Sequence, residues 1–160
     1  HSFAAQQARY ISSHRENPHE IPKACLEKTV LLLNLLVIQR KTPPKSPRGA
    51  ECVDAAQNLV NALGKSGHFA EAKALLRKQI PNMRQLGSDH MSTISLRLLL
   101  AKCLKEDSNA TKCDVQEAVA ICEDVDRRAR RVLGSAHPLA KETRGTLERA
   151  RQQLANFKPK

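Results

Sequence analysis

Aromatic side chains make up only 2% of the 160 residues, with no Trp, one Tyr and three Phe. A core without large rings has to be aliphatic, and basic stretches without interleaved rings lack the platforms on which single-stranded bases stack. No run of about 20 apolar residues is present, so a spanning helix is excluded. The longest apolar stretch, Val30 to Ile38, is broken by Asn34 and flanked by Lys28 and Arg40, which makes it a buried helix. There is no C-x-x-C pair among Cys25, Cys52, Cys103, Cys113 and Cys122. An odd, scattered set signals neither a zinc site nor a disulfide framework. On helical stretches such cysteines act as small core residues, and a reducing, intracellular compartment is expected, cytoplasmic before organellar. No signal or transit peptide is legible, and the start at His1 is what a processed product or excised fragment shows, so an organellar address removed earlier stays open. Asn109-Ala110-Thr111 fits a glycosylation sequon, which would matter only in a secreted protein.

Catalytic signatures are missing too: no H-E-x-x-H, no Gly-rich phosphate loop and no G-x-S-x-G occurs. His14, His19 and His68 stand near turns with no nucleophile at local spacing. The expectation is a protein that is not an enzyme and uses no metal or cofactor.

What the chain has in abundance is Leu, Ala and positive charge. Straight-chain apolar residues favour helices, so the class is all-α. The net charge of +11 and pI near 9.8 suit an acidic partner: an acidic peptide, RNA or an anionic surface. The excess gathers at Arg40, Lys41, Lys45 and Arg48, and at Arg127, Arg128, Arg130 and Arg131. Solvated surface charge is the plainer reading of both groups, the second sitting late in a helix where cations suit the dipole.

Helical spacing begins with Phe3, Ala4, Ala8 and Ile11 over residues 3–14, interrupted at Glu16-Asn17-Pro18-His19. Pro22 opens a second helix to about Arg40, with Leu26, Val30, Leu33 and Val37 on one stripe. Residues 1–41 thus form a divergent helical pair. The link over 42–48, rich in Pro and basic residues, cannot continue a helix, and Thr42 and Ser46 before Pro are phosphoacceptor candidates whose modification would offset the positive charge. A helix follows over about 50–65, ending at Gly64-Lys65-Ser66-Gly67, then one from Phe69 towards Leu86-Gly87 that Pro81 should distort. A second hairpin pairs Ser92–Lys105 with Val115–Val132 across an inserted loop from Glu106 to Asp114.

Two signatures recur in the same order. Leu86-Gly87-Ser88-Asp89-His90 returns as Leu133-Gly134-Ser135-Ala136-His137, and Phe69-Ala70-Glu71-Ala72 as Val115-Gln116-Glu117-Ala118. Two copies of a unit of about 40 to 47 residues belong to helical solenoids, whose repeats bury their faces against neighbours. The repeats cover 49–87 and 92–134, and the helix over 138–157, with Glu148, Arg149, Arg151, Gln152 and Gln153, has the polar outer face of a cap. Recurrence also makes His90 and His137 parts of a shared turn more readily than metal ligands.

On Leu59, Leu63, Gly67, Phe69, Ala72 and Leu76, and then Leu100, Ala101, Leu104, Ala118 and Cys122, the sequence resembles the tetratricopeptide superfamily. The Leu-Gly followed by His that ends both copies points to its longer, kinesin-light-chain-like repeats. The departures are a missing Gly where Cys113-Asp114 stands, the inserted loop, and the poorly matching first pair. The resemblance implies a single domain over 1–160, a right-handed superhelix of stacked antiparallel hairpins with about seven helices. It also implies a concave face, lined by the first helix of each hairpin, that receives a peptide. Asn58, Asn61, Lys65, Arg97, Lys102 and Lys105 are the polar residues it places there. Asn can clamp a peptide backbone, and Lys and Arg attract carboxylates. Ordinary solvated helix positions are the alternative for each. The expected role is a scaffold or adaptor that binds a protein or acidic peptide, or sits in a multi-subunit complex. Two alternatives stay open: an RNA-associated repeat protein using its basic surface, and the helical accessory region of a larger enzyme such as a SET-MYND methyltransferase.

Overall fold

The computed structural model describes residues 47–83 and 86–158, with side chains described from Ala56 onward. Among these residues the fold is all-helical, with five helices and no strand: α1 Pro47–Lys65, α2 Phe69–Asn82, α3 Met91–Glu106, α4 Lys112–Leu133 and α5 Pro138–Ala155. The helices expected over 3–14 and from Pro22 to Arg40 lie outside the described residues. The chain divides after Leu86 into two compact units, with α1 and α2 in the first and α3 to α5 in the second.

In the first unit α1 and α2 form a hairpin. Pro47 and Arg48, expected in the link, instead form the first turn of α1. Pro suits that position because the amide it lacks has no partner inside a helix. Ala56, Leu59, Val60 and Leu63 are buried on α1, and Ala72, Leu75 and Leu76 on α2. The turn between them closes by two hydrogen bonds. His68 N donates to Leu63 O at 2.8 Å, and Gly67 N donates to Gly64 O at 3.1 Å. This pair is the Schellman ending, and its left-handed residue is Gly67 at φ +78°. Beyond it α2 stops at Asn82 and does not reach Leu86 as the sequence led one to expect. Pro81 has no N–H to continue the ladder, and Met83 N donates back to Ile80 O as the helix closes.

In the second unit α4 packs along both α3 and α5, which meet each other only narrowly. Its inner stripe is Val115, Ala118, Cys122, Val125 and Ala129, all with no exposed surface. The alternating steps of three and four keep that stripe on one side of the helix, and its small residues let the neighbours approach closely. Ile94, Leu98, Ala101 and Leu104 of α3 are buried as the periodicity predicts, and Leu96, Leu100 and Cys103 are buried as well. From α5, Ala140, Thr143, Thr146, Leu147 and Ala150 close the core. The two threonines are satisfied internally, with Thr143 Oγ1 donating to Leu139 O at 2.7 Å and Thr146 Oγ1 to Glu142 O at 2.9 Å.

The loop expected from Glu106 to Asp114 is shorter than that, because α3 runs through Glu106 and α4 begins at Lys112. No left-handed glycine is needed here. Asp107 leaves α3 in an extended conformation at φ −59°, ψ 125°, and its Oδ1 accepts from Asn109 N at 2.9 Å. Thr111 then opens α4 through a reciprocal capping box. Asp114 N donates to Thr111 Oγ1 at 3.2 Å, and Thr111 N donates to Asp114 Oδ2 at 2.8 Å.

The contrast between two glycines of the first turn is testable. Gly67→Ala should lower the stability of the chain by about 1–2 kcal/mol, because its backbone is left-handed. Gly64→Ala should be neutral or raise stability by up to about 1 kcal/mol, since an added Cβ would only touch Phe69 Cε1 at 3.9 Å. Denaturant midpoints of the two variants, compared with the parent, check both signs.

Candidate partner-binding surface

The recurring turn has the same geometry both times. Gly87 and Gly134 take φ +89° and +85°, and His90 N and His137 N donate to their carbonyls at 3.3 Å each. Each histidine then caps the following helix. His90 Nδ1 accepts from Ser92 N at 3.2 Å and His137 Nδ1 from Leu139 N at 3.1 Å. An imidazole accepting at Nδ1 carries its proton on Nε2, so both rings are committed to helix ends. His68 holds the N-cap position of α2 without such a bond. It also ends the Schellman turn, and its backbone, at ψ 57°, is not in the extended conformation of the other two.

The charged residues of α4 begin with two acid-base pairs at i, i+4, the orientation that helices favour. Arg128 Nε donates to Asp124 Oδ2 at 2.8 Å, and Arg130 Nη2 reaches Asp126 Oδ2 at 2.6 Å. The first pair extends in both directions. Arg97 of α3 donates to the same Asp124 oxygen at 2.5 Å. Arg128 Nη1 turns to Asp89 Oδ1 at 2.8 Å and Ser88 Oγ at 2.9 Å, and Arg131 Nη2 takes Asp89 Oδ2 at 2.6 Å. Arg128 therefore clips the recurring turn before α3 to the side of α4. Hydrogen bonding to Arg128 is the largest influence holding the Asp124 and Asp89 carboxyls below the usual aspartate range, with Arg97 and Arg131 adding to it. Bonding to Asp124 and then Asp89 raises the Arg128 guanidinium in turn.

The six residues expected on a concave face divide between the units. Asn58, Asn61 and Lys65 lie at i, i+3 and i+7 on α1, the asparagines half-buried and Lys65 exposed. On α3 each cation has a partner: Arg97 has Asp124, Lys102 has Glu142 of α5, and Lys105 has Glu106 at 3.2 Å. Lys105 is only 10% exposed in its side chain, and its carbonyl accepts from Gln153 Nε2 at 2.9 Å. Arg97 and Lys102 tie α3 to α4 and α5 through their side chains, whereas Lys105 pairs within α3, so a peptide would have to displace ion pairs to use any of the three. Among the basic groups, Arg127, Arg128, Arg130 and Arg131 come together on the last turns of α4. Arg40, Lys41, Lys45, Thr42 and Ser46 lie outside the described residues, and Arg48 is described only as backbone in α1. The arginine clip was not foreseen, although Asp124 and Asp126, four residues before Arg128 and Arg130, signal its local half.

Cys103 and Cys122 are buried as core cysteines, but Cys113 is exposed in the first turn of α4. Burial is the main cause that pushes the Cys122 thiol up to about 11. No group of three or more metal-ligating side chains occurs among the described residues, and none of their helices is long and apolar enough to cross a membrane. The chain matches no protein-family model, no curated protein and no solved structure.

Two outcomes follow from this geometry. Because folding lowers the carboxyls of Asp89 and Asp124, the stability they confer is complete above the ordinary aspartate value of about 4. It is lost as pH falls through the lowered folded values. Arg128→Gln should therefore have a lower urea midpoint than the parent at neutral pH and lose less of it on acidification. Titration with a thiol reagent should modify Cys113 in the native protein while Cys103 and Cys122 react only on unfolding. Peptide mapping of the labelled protein reads this directly.

Proposed function

We propose that this protein is a non-catalytic, tetratricopeptide-type scaffold that binds a protein partner. The reading includes the right-handed superhelical arrangement of that family. The observation that carries it is the turn built twice from the same residues, each with a left-handed glycine and a histidine that caps the next helix at Nδ1. A duplicated helix-turn unit points to a scaffold, since such units present long surfaces to partners. Two further features support it. Apart from its end residues Pro138 and Ala155, the exposed positions of α5 are polar, among them Lys141, Arg144, Glu148, Arg149 and Gln152, as a terminal capping helix requires. The cations of α4 are also largely held by carboxylates, which leaves less charge for a phosphate track than the sequence total suggests.

The first hairpin offers the remaining concave-face candidates, Asn58, Asn61 and Lys65. Affinity capture from a cell extract, with the bound material identified by mass spectrometry, tests the reading. The expected result is a discrete protein partner retained after nuclease treatment and at moderate salt. Its affinity should fall about tenfold in the combined Asn58→Ala, Asn61→Ala variant, roughly what two lost hydrogen bonds are worth. Binding that disappears with nuclease and falls steeply with salt would replace the scaffold with an RNA-associated protein.

A further inference from the structure

Arg127, Arg130 and Arg131 share one face over the last two turns of α4 and are the exposed members of the arginine cluster, at 73%, 48% and 62% of their side-chain surface. Each is tethered on its inner side to a carboxylate. Arg127 Nη2 lies 3.6 Å from Asp124 Oδ1, Arg130 is held by the buried Asp126, and Arg131 by Asp89. A guanidinium has five donors, so a head held by one edge still has another to offer, already oriented. Among the described residues, Arg97, Arg127, Arg128, Arg130 and Arg131 form ion pairs with Asp89, Asp124 and Asp126, five cations to three anions, which leaves this cluster a net charge of +2.

An independent observation falls at the same corner. Met91 and Val132 are the large apolar side chains that stand out from the described surface, at 51% and 47% exposure. Val132 follows Arg131 in the chain, and Met91 lies two residues from the Asp89 that Arg131 holds. From these we infer that the C-terminal half of α4, with the start of α3, is a docking surface for an acidic peptide carrying an apolar side chain.

Spacing favours this occupant. Arg127 and Arg131 are separated by about 6 Å along the helix axis, and alternate side chains on one edge of an extended peptide are separated by about 6.6 Å. Two carboxylates at alternate positions therefore meet two arginines. Stacking of a base has no counterpart here, since α4 contains no aromatic residue. The surface belongs to the scaffold reading and names the chemistry of its partner.

The test is fluorescence anisotropy of a labelled peptide with alternating glutamates and one leucine, titrated with the full chain at low and moderate salt. Two variants lose the same charge in different places. Arg127→Gln with Arg131→Gln removes it from the proposed surface. Lys112→Gln with Lys158→Gln removes it from the far end, Lys112 standing about 22 Å from Arg127 along α4. The first variant should bind about tenfold more weakly and the second within about twofold of the parent. Circular dichroism and thermal melting check folding, because Arg131 also holds Asp89. Should the double variant unfold, Arg127→Gln alone decides the matter with an expected loss of about threefold.

Equal losses in both double variants would reduce the surface to a diffuse positive field and overturn the inference. So would no peptide binding at all, or a polyuridine competitor that binds more tightly than the peptide. The scaffold reading is judged separately. If partner capture from extract persists in the variant lacking Arg127 and Arg131, the scaffold stands and this surface falls. If the peptide binds as expected but no extract protein is retained, the surface stands and the scaffold falls.

Discussion

The second unit depends on one constraint: α4 must bury a continuous inner stripe against two helices at once. Val115, Ala118, Cys122, Val125 and Ala129 meet it by being small and wholly enclosed. A larger residue at Ala118 or Ala129 would hold the neighbouring helices apart, and overpacking of this kind destabilises by about 1–3 kcal/mol. Leu98 and Leu104 of α3 and Leu147 of α5 supply the volume that the stripe omits. This division of large and small residues makes the absence of Trp tolerable, since the core is built from aliphatic side chains interlocking with alanine.

Close packing leaves helix ends to be satisfied locally, and the chain does this with three different devices. The first hairpin closes on a Schellman turn, the second on a threonine-aspartate capping box, and the two helices that follow the recurring turn on histidine. Histidine is an unusual N-cap, for serine, threonine, aspartate and asparagine are preferred. It works here because the preceding residues fix the approach. Gly87 and Gly134 reverse the chain, and the histidine backbone then reaches the extended conformation from which Nδ1 faces the second amide of the helix.

Much of this was legible in the residues. The helical class, the burial of Ile94, Leu98, Ala101 and Leu104, and the structural use of His90 and His137 follow from spacing and recurrence. Element ends were less legible. Pro81 was recognised as a disturbance, yet it lies inside α2, which ends one residue later at Asn82, and Pro47 opened a helix where a link was expected. The second outcome turns on where the helix starts, because an amide removed in the first turn has no partner inside the helix. The arginine clip was half visible. Asp124 to Arg128 is a local pairing, whereas the approach of Arg128 to Asp89, 39 residues earlier, is set by the packing of α3 on α4. The same is true of Arg97 and Lys102, whose spacing on α3 carries no information about the acidic residues of α4 and α5 that meet them.

Packing also changes what the net charge means. Residues 87–160 hold 14 of the 27 basic residues and 10 of the 16 acidic ones, and so carry +4 of the total +11. In this unit charge is distributed by pairing and not spread evenly. Arg97 and Lys102 are occupied by ion pairs that join elements, while the last turns of α4 keep exposed arginines beside carboxylates they only partly satisfy. Cations at that end also suit the helix dipole, so the arginines have a structural reason to be there without any partner. Tethering gives them a further property. A free arginine loses side-chain entropy when it binds, typically about 0.5–1.5 kcal/mol for an immobilised long side chain, whereas one already held by Asp89 or Asp126 has lost part of that freedom during folding. Contacts that stabilise the fold thereby lower the entropic cost of recognition at the same residues.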